Sequence, residues 1–232
     1  MKSMIVPALF LALGLAAGGL FIGNGISGRH NGPRVISVKG LAEKEVSATV
    51  AIWTVGYRSN DNELAGLNDK LKEDTRKVVK FLTTSAGFDA ADIAVQPPSI
   101  QDSSMVERDK DTPPPPFRYS GSQSVLLRTN KVDSIKPAQA SMSDLIQQGV
   151  MLGNRSEPTF IFDAINSIKP GMIQEATRNA RIAADQFAKD SETSLGKLRN
   201  ASQGWFQVEN RDEATPEKKV VRVIVEVEYE VE

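Results

Sequence analysis

Residues 219–231 read KVVRVIVEVEYEV, with Val221, Val223, Val225, Val227 and Tyr229 on one parity and Arg222, Glu226, Glu228 and Glu230 on the other. Such alternation predicts a strand with one face buried. Residues 117–129 do the same: Phe117, Tyr119, Gly121, Gln123, Val125 and Leu127 share one face, and Arg118 and Arg128 share the other. Residues 34–59 read as a strand broken at Lys39-Gly40, followed by a well-buried strand over 46–57. Residues 92–101 form a strand that Pro97-Pro98 confines to an edge or a bulge. Short strands over 149–153 and 159–164 and a longer one over 198–208 complete the β set.

Between them the period changes to three and four. Leu64, Leu67, Leu71, Thr75, Val78 and Leu82 make an apolar stripe, with Ser59, Asn60 or Asp61 as cap and Gly87 as stop. A second helix covers 131–148, burying Ile135, Ala138, Met142 and Leu145, with Pro137 in its first turn. A third has Pro170 in its first turn and buries Ile173, Ala176, Ala180, Ala183 or Ala184, and Phe187. The order is ββ-(αββ)x3. It predicts an α+β fold, a largely antiparallel sheet with three helices packed on it.

Ahead of this domain, residues 4–26 carry no charge, and a run of that length suits a membrane span better than a cleaved signal. The expected organisation is a signal anchor or transmembrane helix at 1–28, a Gly/Pro tether at 29–34 and a domain at 35–232. Cleavage of the signal, giving a soluble periplasmic protein, is the alternative. Arg29, Arg34 and Lys39 follow the apolar run, and positive charges counted alone would keep that side in the cytoplasm.

Composition narrows the chemistry. With no cysteine, disulfides, thiolate metal sites and a Cys nucleophile are excluded. The single histidine, His30, precedes the domain, which excludes a Ser-His-Asp triad and a His-based zinc site within it. Lys and Arg are interspersed with Asp and Glu at a net charge of −1, which argues against nucleic acid. No catalytic, cofactor-binding or metal residue is assigned.

The candidate ligand or partner contacts are Lys39, Arg118 and Arg128. Lys39-Gly40 with Glu43-Lys44-Glu45 reads as a solvated turn, or as a site where Gly40 admits a close backbone. Arg118 and Arg128 on one strand face suit an acidic ligand, or are solvated or ion-paired with neighbours. Glu226, Glu228 and Glu230 read as the guarded face of an edge strand, or as oxygen ligands for a divalent cation. Trp53 and Trp205 read as core or subunit-contact residues. A hydrolase would have to rely on paired carboxylates such as Asp92, Asp163 and Glu175.

Four stretches in this order, VISVKGLAEKEVSATVAIW, FLTTSAGFDAADIAV, FRYSGSQSVLLRT and EATRNARIAADQFAKDSETSLGKL, resemble the SIMPL-domain family of bacterial envelope proteins, in its membrane-anchored branch. The resemblance covers most of residues 35–231. Many members carry a Pro-Asp pair before the second strand, where this chain has Glu45-Val46-Ser47-Ala48; a role held by that pair does not transfer. The resemblance implies a non-enzymatic, self-associating scaffold or binding module linked to envelope or oxidative stress, with no established reaction or cofactor. It also places the domain in the periplasm, single-pass in the inner membrane, against the charge count. A homo-oligomer and the membrane are the expected partners, the small-molecule ligand is unknown, and a ring- or pore-forming oligomer is the alternative.

Overall fold

The computed structural model describes residues 34–105, 115–153 and 157–232, together with Gly14, Gly18 and Gly19. The rest of the anchor, most of the tether and the middle of the proline-rich loop lie outside the described residues. Among the described residues no helix is long and apolar enough to cross a membrane. The fold is α+β with antiparallel sheets. In chain order the elements are β1 (Val35–Ser47), β2 (Val50–Asp61), α1 (Leu64–Lys80), β3 (Ile93–Val95), β4 (Ser99–Asp102), β5 (Tyr119–Thr129), α2 (Ile135–Ala140), α3 (Ser143–Gln147), β6 (Met151–Leu152), β7 (Thr159–Ile161), α4 (Ile165–Asp190), β8 (Leu195–Gln203), β9 (Gln207–Asn210) and β10 (Lys218–Val231). The chain divides into two compact units. Unit I takes residues 1–42, 173–205 and 223–232; unit II takes 43–172 and 206–222.

In unit II, β2 pairs with β5 in unbroken antiparallel register from Ala51↔Thr129 to Asp61↔Tyr119. β3 and β4 extend the sheet beyond β5, and β6 and β7 extend it beyond β2. One face of the β2–β5 pair carries Trp53, Val55, Tyr57, Val125 and Leu127, and α1 supplies Leu67, Leu71 and Val78 to the same core. Leu64, expected on that stripe, is exposed because it stands at the first residue of the helix. The expected caps are also displaced. Glu63 is the N-cap and makes no side-chain capping bond, whereas Asp61 accepts the Glu63 N–H from the end of β2 and pairs with Lys70 at 2.9 Å. α1 runs on through a wider turn, Phe81–Ser85, and the chain leaves it through Gly87 at φ 73°, the left-handed residue that its position predicts. The single helix expected over 131–148 is two short ones, α2 and α3, with Pro137 tolerated near the start of α2.

In unit I, β10 lies between β1 and β8. It is therefore central, and the reading of its glutamate row as an edge-strand face is corrected. Val223, Val225, Val227 and Tyr229 are buried as the alternation predicts. β1 is also corrected: it runs without interruption through Lys39-Gly40. Gly40 is required by the helix rather than by a turn, since a Cβ there would lie 1.9 Å from the Ala176 carbonyl oxygen and 2.5 Å from the Ala180 nitrogen.

Helix α4 begins at Ile165, so Pro170 sits inside it rather than opening it. Its buried row is Met172, Ala176, Ala180, Ala184 and Ala188, repeating every four residues. Phe187, expected on that row, is 60% exposed; a ring on an alanine stripe would hold the helix away from backbone it approaches this closely. The strand expected over 198–208 is two strands, β8 and β9, parted at Gly204-Trp205-Phe206.

Candidate interaction surfaces

The structure separates the three basic candidates. Arg118 precedes β5 and is turned back onto the protein. Its guanidinium meets Asp102 at 3.1 Å and lies 4.9 Å from the Tyr119 ring centroid. Asp102 also accepts Ser104 through the hydroxyl at 2.7 Å and the N–H at 2.9 Å. These bonds, the Ser104 hydroxyl first and then Arg118, hold the Asp102 carboxyl down at about 2. Arg128 is exposed on the outward face of β5, roughly 33 Å further along at a strand's rise. Lys39 is exposed on β1 in unit I.

The charged group after Gly40 is paired within unit II rather than merely wet. Glu43 accepts Arg222, and Glu45 accepts Arg211 at 2.7 Å. Arg211 also grips Asp212 at 2.8 Å. Arg211 first and the Thr215 hydroxyl second bring the Asp212 carboxyl down to about 2. On the same parity of β10 as Arg222, Glu226 accepts the Ser37 hydroxyl of β1 at 3.0 Å.

A polar line runs through the core of unit II. The Tyr57 and Thr75 hydroxyls are 2.5 Å apart, Thr75 reaches Gln123 at 3.1 Å, and Gln123 donates to the Gln96 carbonyl at 2.9 Å. Ser59 donates to the buried Asp74 at 2.6 Å. Burial pushes the Tyr57 hydroxyl up from its ordinary value. This network locks α1 onto the sheet in one register, and its one hydroxyl–carboxylate pair, Ser59 with Asp74, is buried.

Of the carboxylates considered for hydrolysis, Asp92 and Asp163 adjoin strands on opposite sides of the β5–β2 pair, and Glu175 belongs to unit I. Asp163 is held by the Thr49 hydroxyl, Asp92 closes the short turn after Asp89, and Glu175 stands on the exposed surface of α4. Among the described residues no group of three or more His, Asp or Glu side chains is placed to hold a metal ion.

Unit I has the surface that sequence reasoning divided between core and contact. Trp53 is 1% exposed in the core of unit II, whereas Trp205 is 92% exposed at the end of β8. Leu198 and Ile182 are exposed in the same unit. β8 pairs only with β10 among the described residues. The Gly204 N–H donates to the Ile224 carbonyl at 2.8 Å, and Ser202 and Asn200 share its parity opposite Glu226 and Glu228. The intervening N–H groups of Ala201 and Gln203 therefore point off the open edge. The signal in the sequence was the pair Gly204-Trp205, which interrupts β alternation with a large ring in a turn.

The family model described as SIMPL, protein of unknown function (DUF541), matches residues 36–229. No curated protein matches the chain.

Proposed function

The chain belongs to the SIMPL family, and we propose that it is a non-enzymatic, self-associating binding module. An N-terminal apolar helix anchors it in the inner membrane, and its domain stands in the periplasm and serves under envelope or oxidative stress. The uncharged run over residues 4–26 supports the anchor. The observation that carries self-association is Trp205, 92% exposed on a turn of unit I. An indole held in water forgoes the burial that makes Trp a dominant contact residue. A second copy of the chain supplies the cover.

The test is the solution mass of the full chain in mild detergent, by light scattering across a concentration series, beside Trp205→Ser. The expected result is a discrete assembly for the natural chain and a shift towards monomer for the variant. A fixed mass of many protomers would identify the ring form. A strict monomer at every concentration would remove self-association from the reading.

A further inference from the structure

Unit I has a groove of about 720 Å³ running between α4 and β8. Its floor is apolar: Leu195 and Leu198 of β8, and Tyr229 of β10. Its upper wall is the face of α4 that carries Arg178, Arg181 and Asp185. The helix sits towards β1, where Gly40 admits it and the Asn179 side chain donates to the Leu41 carbonyl at 2.8 Å. β8 is consequently left without a helix over it, and Leu198 remains 54% exposed.

The two arginines are one helical turn apart, and neither makes an ion pair or side-chain hydrogen bond among the described residues. Lys197 and Arg199 flank Leu198 on the strand itself, both exposed and equally without such partners. The groove itself sets the two arginines against one carboxylate, Asp185, while Lys197 and Arg199 lie outside its lining, on a strand whose β10 neighbour carries Glu228 and Glu230. Along the same edge the N–H groups of Ala201 and Gln203 face outward.

From this placement we infer that the β8 edge and the α4 groove receive an extended acidic segment of a partner protein, which adds to the sheet as a strand. The outward N–H and C=O groups of Ala201 and Gln203 start the main-chain ladder, and the chain runs on past Leu198, where the register of β8 against β10 shifts. Side chains of the added strand that face α4 lie beside Leu198, close enough for a glutamate to reach Arg178 or Arg181. Those on the opposite face meet Lys197 and Arg199. An apolar residue among the acids covers Leu195 and Leu198. A second copy fits less well, since pairing β8 with β8 sets Lys197 and Arg199 against themselves, and β1, the other end of this sheet, brings Lys39.

The inference is independent of self-association, and the two fail separately. The probe is a fluorescein-labelled ten-residue peptide alternating Glu with Val and Thr, titrated with the full chain and followed by anisotropy. Saturable binding is expected, weakened about tenfold or more when Lys replaces Glu in the peptide or when salt is raised. A peptide N-methylated at alternate residues is expected to lose binding to a similar extent, because it lacks the donors of a ladder. Arg178→Ala with Arg181→Ala is expected to weaken binding about tenfold while far-UV circular dichroism and the melting midpoint stay in place. Equal binding of the Lys peptide, or indifference to N-methylation, would overturn the inference. So would absent peptide binding combined with a change of solution mass in the double variant, which would make the groove a contact between copies.

Discussion

Each unit seats a helix on a sheet, and the two use opposite means. In unit II, α1 meets β2 and β5 through large side chains: Trp53, Tyr57, Leu67 and Leu127 are each no more than 1% exposed. In unit I, α4 meets β1 through methyl groups and bare backbone, at Ala176, Ala180 and Gly40. The first contact is stabilised by the volume of the groups that interlock, so it is sensitive to truncation. The second is stabilised by how closely two backbones approach, so it is sensitive to enlargement. Hydrophobic burial alone would not reveal this difference, because both helices bury a continuous row.

The comparison is broken most severely at Trp53. Trp53→Ala leaves a cavity in the core of unit II and is expected to cost about 4 kcal/mol, read by urea unfolding with circular dichroism. A loss below about 1 kcal/mol would mean that the large-residue core is not what holds unit II together.

The next test places the same small change in each unit. Gly40→Ala drives a methyl group into the Ala176 carbonyl, which is main chain and cannot turn aside; a loss of about 2 kcal/mol is expected. Gly121→Ala on β5 meets only the Leu71 Cδ1 at 2.8 Å and the Leu67 methyls, which can rotate; its expected loss is under about 1 kcal/mol. Equal losses in a thermal melt would erase the distinction between the two contacts.

The smallest effect is at the Asp102–Arg118 clasp of unit II. Its folded carboxyl titrates at about 2, below the ordinary carboxylate value. Its contribution is therefore complete above about pH 4 and is lost as the pH falls towards 2. Asp102→Asn is expected to lower the urea midpoint slightly at pH 6 and to converge with the natural chain near pH 2. A constant offset across that range would show that charge plays no part.

The sequence pattern was legible wherever one element met water on one side only. β5 and β10 alternate as read, and the stripe of α1 holds at Leu67, Leu71, Val78 and Leu82. It misled where a small residue had two physical explanations. Gly40 reads as a turn because glycine punctuates chains, and only the helix packed over it reveals the steric demand. Pro170 reads as a helix start for a similar reason. The position of β10 in its sheet was invisible, since a glutamate row on one face is compatible with either a central or an edge strand. Of the site candidates, exposure at Lys39 and Arg128 was foreseen, while Arg118 was claimed by Asp102, sixteen residues earlier in the chain. The groove in unit I escaped because its walls come from α4 and β8, and its cations are scattered among the alanines that position the helix.

The interleaving of the units sets an order of assembly during synthesis. Every residue of the hydrophobic cluster of unit II that runs from Ala48 to Phe160 is made before β8 and β10 exist. That core can close while the rest of the chain is still emerging. Unit I cannot: its sheet joins residues 35–42 to residues 223–231, so the first-made strand waits for the last. Until then β1 lacks its β10 neighbour. The early strand is therefore the part of the nascent protein with the longest need of protection from chance pairing, and its Lys39 and Lys44 supply charges of the kind that discourage it.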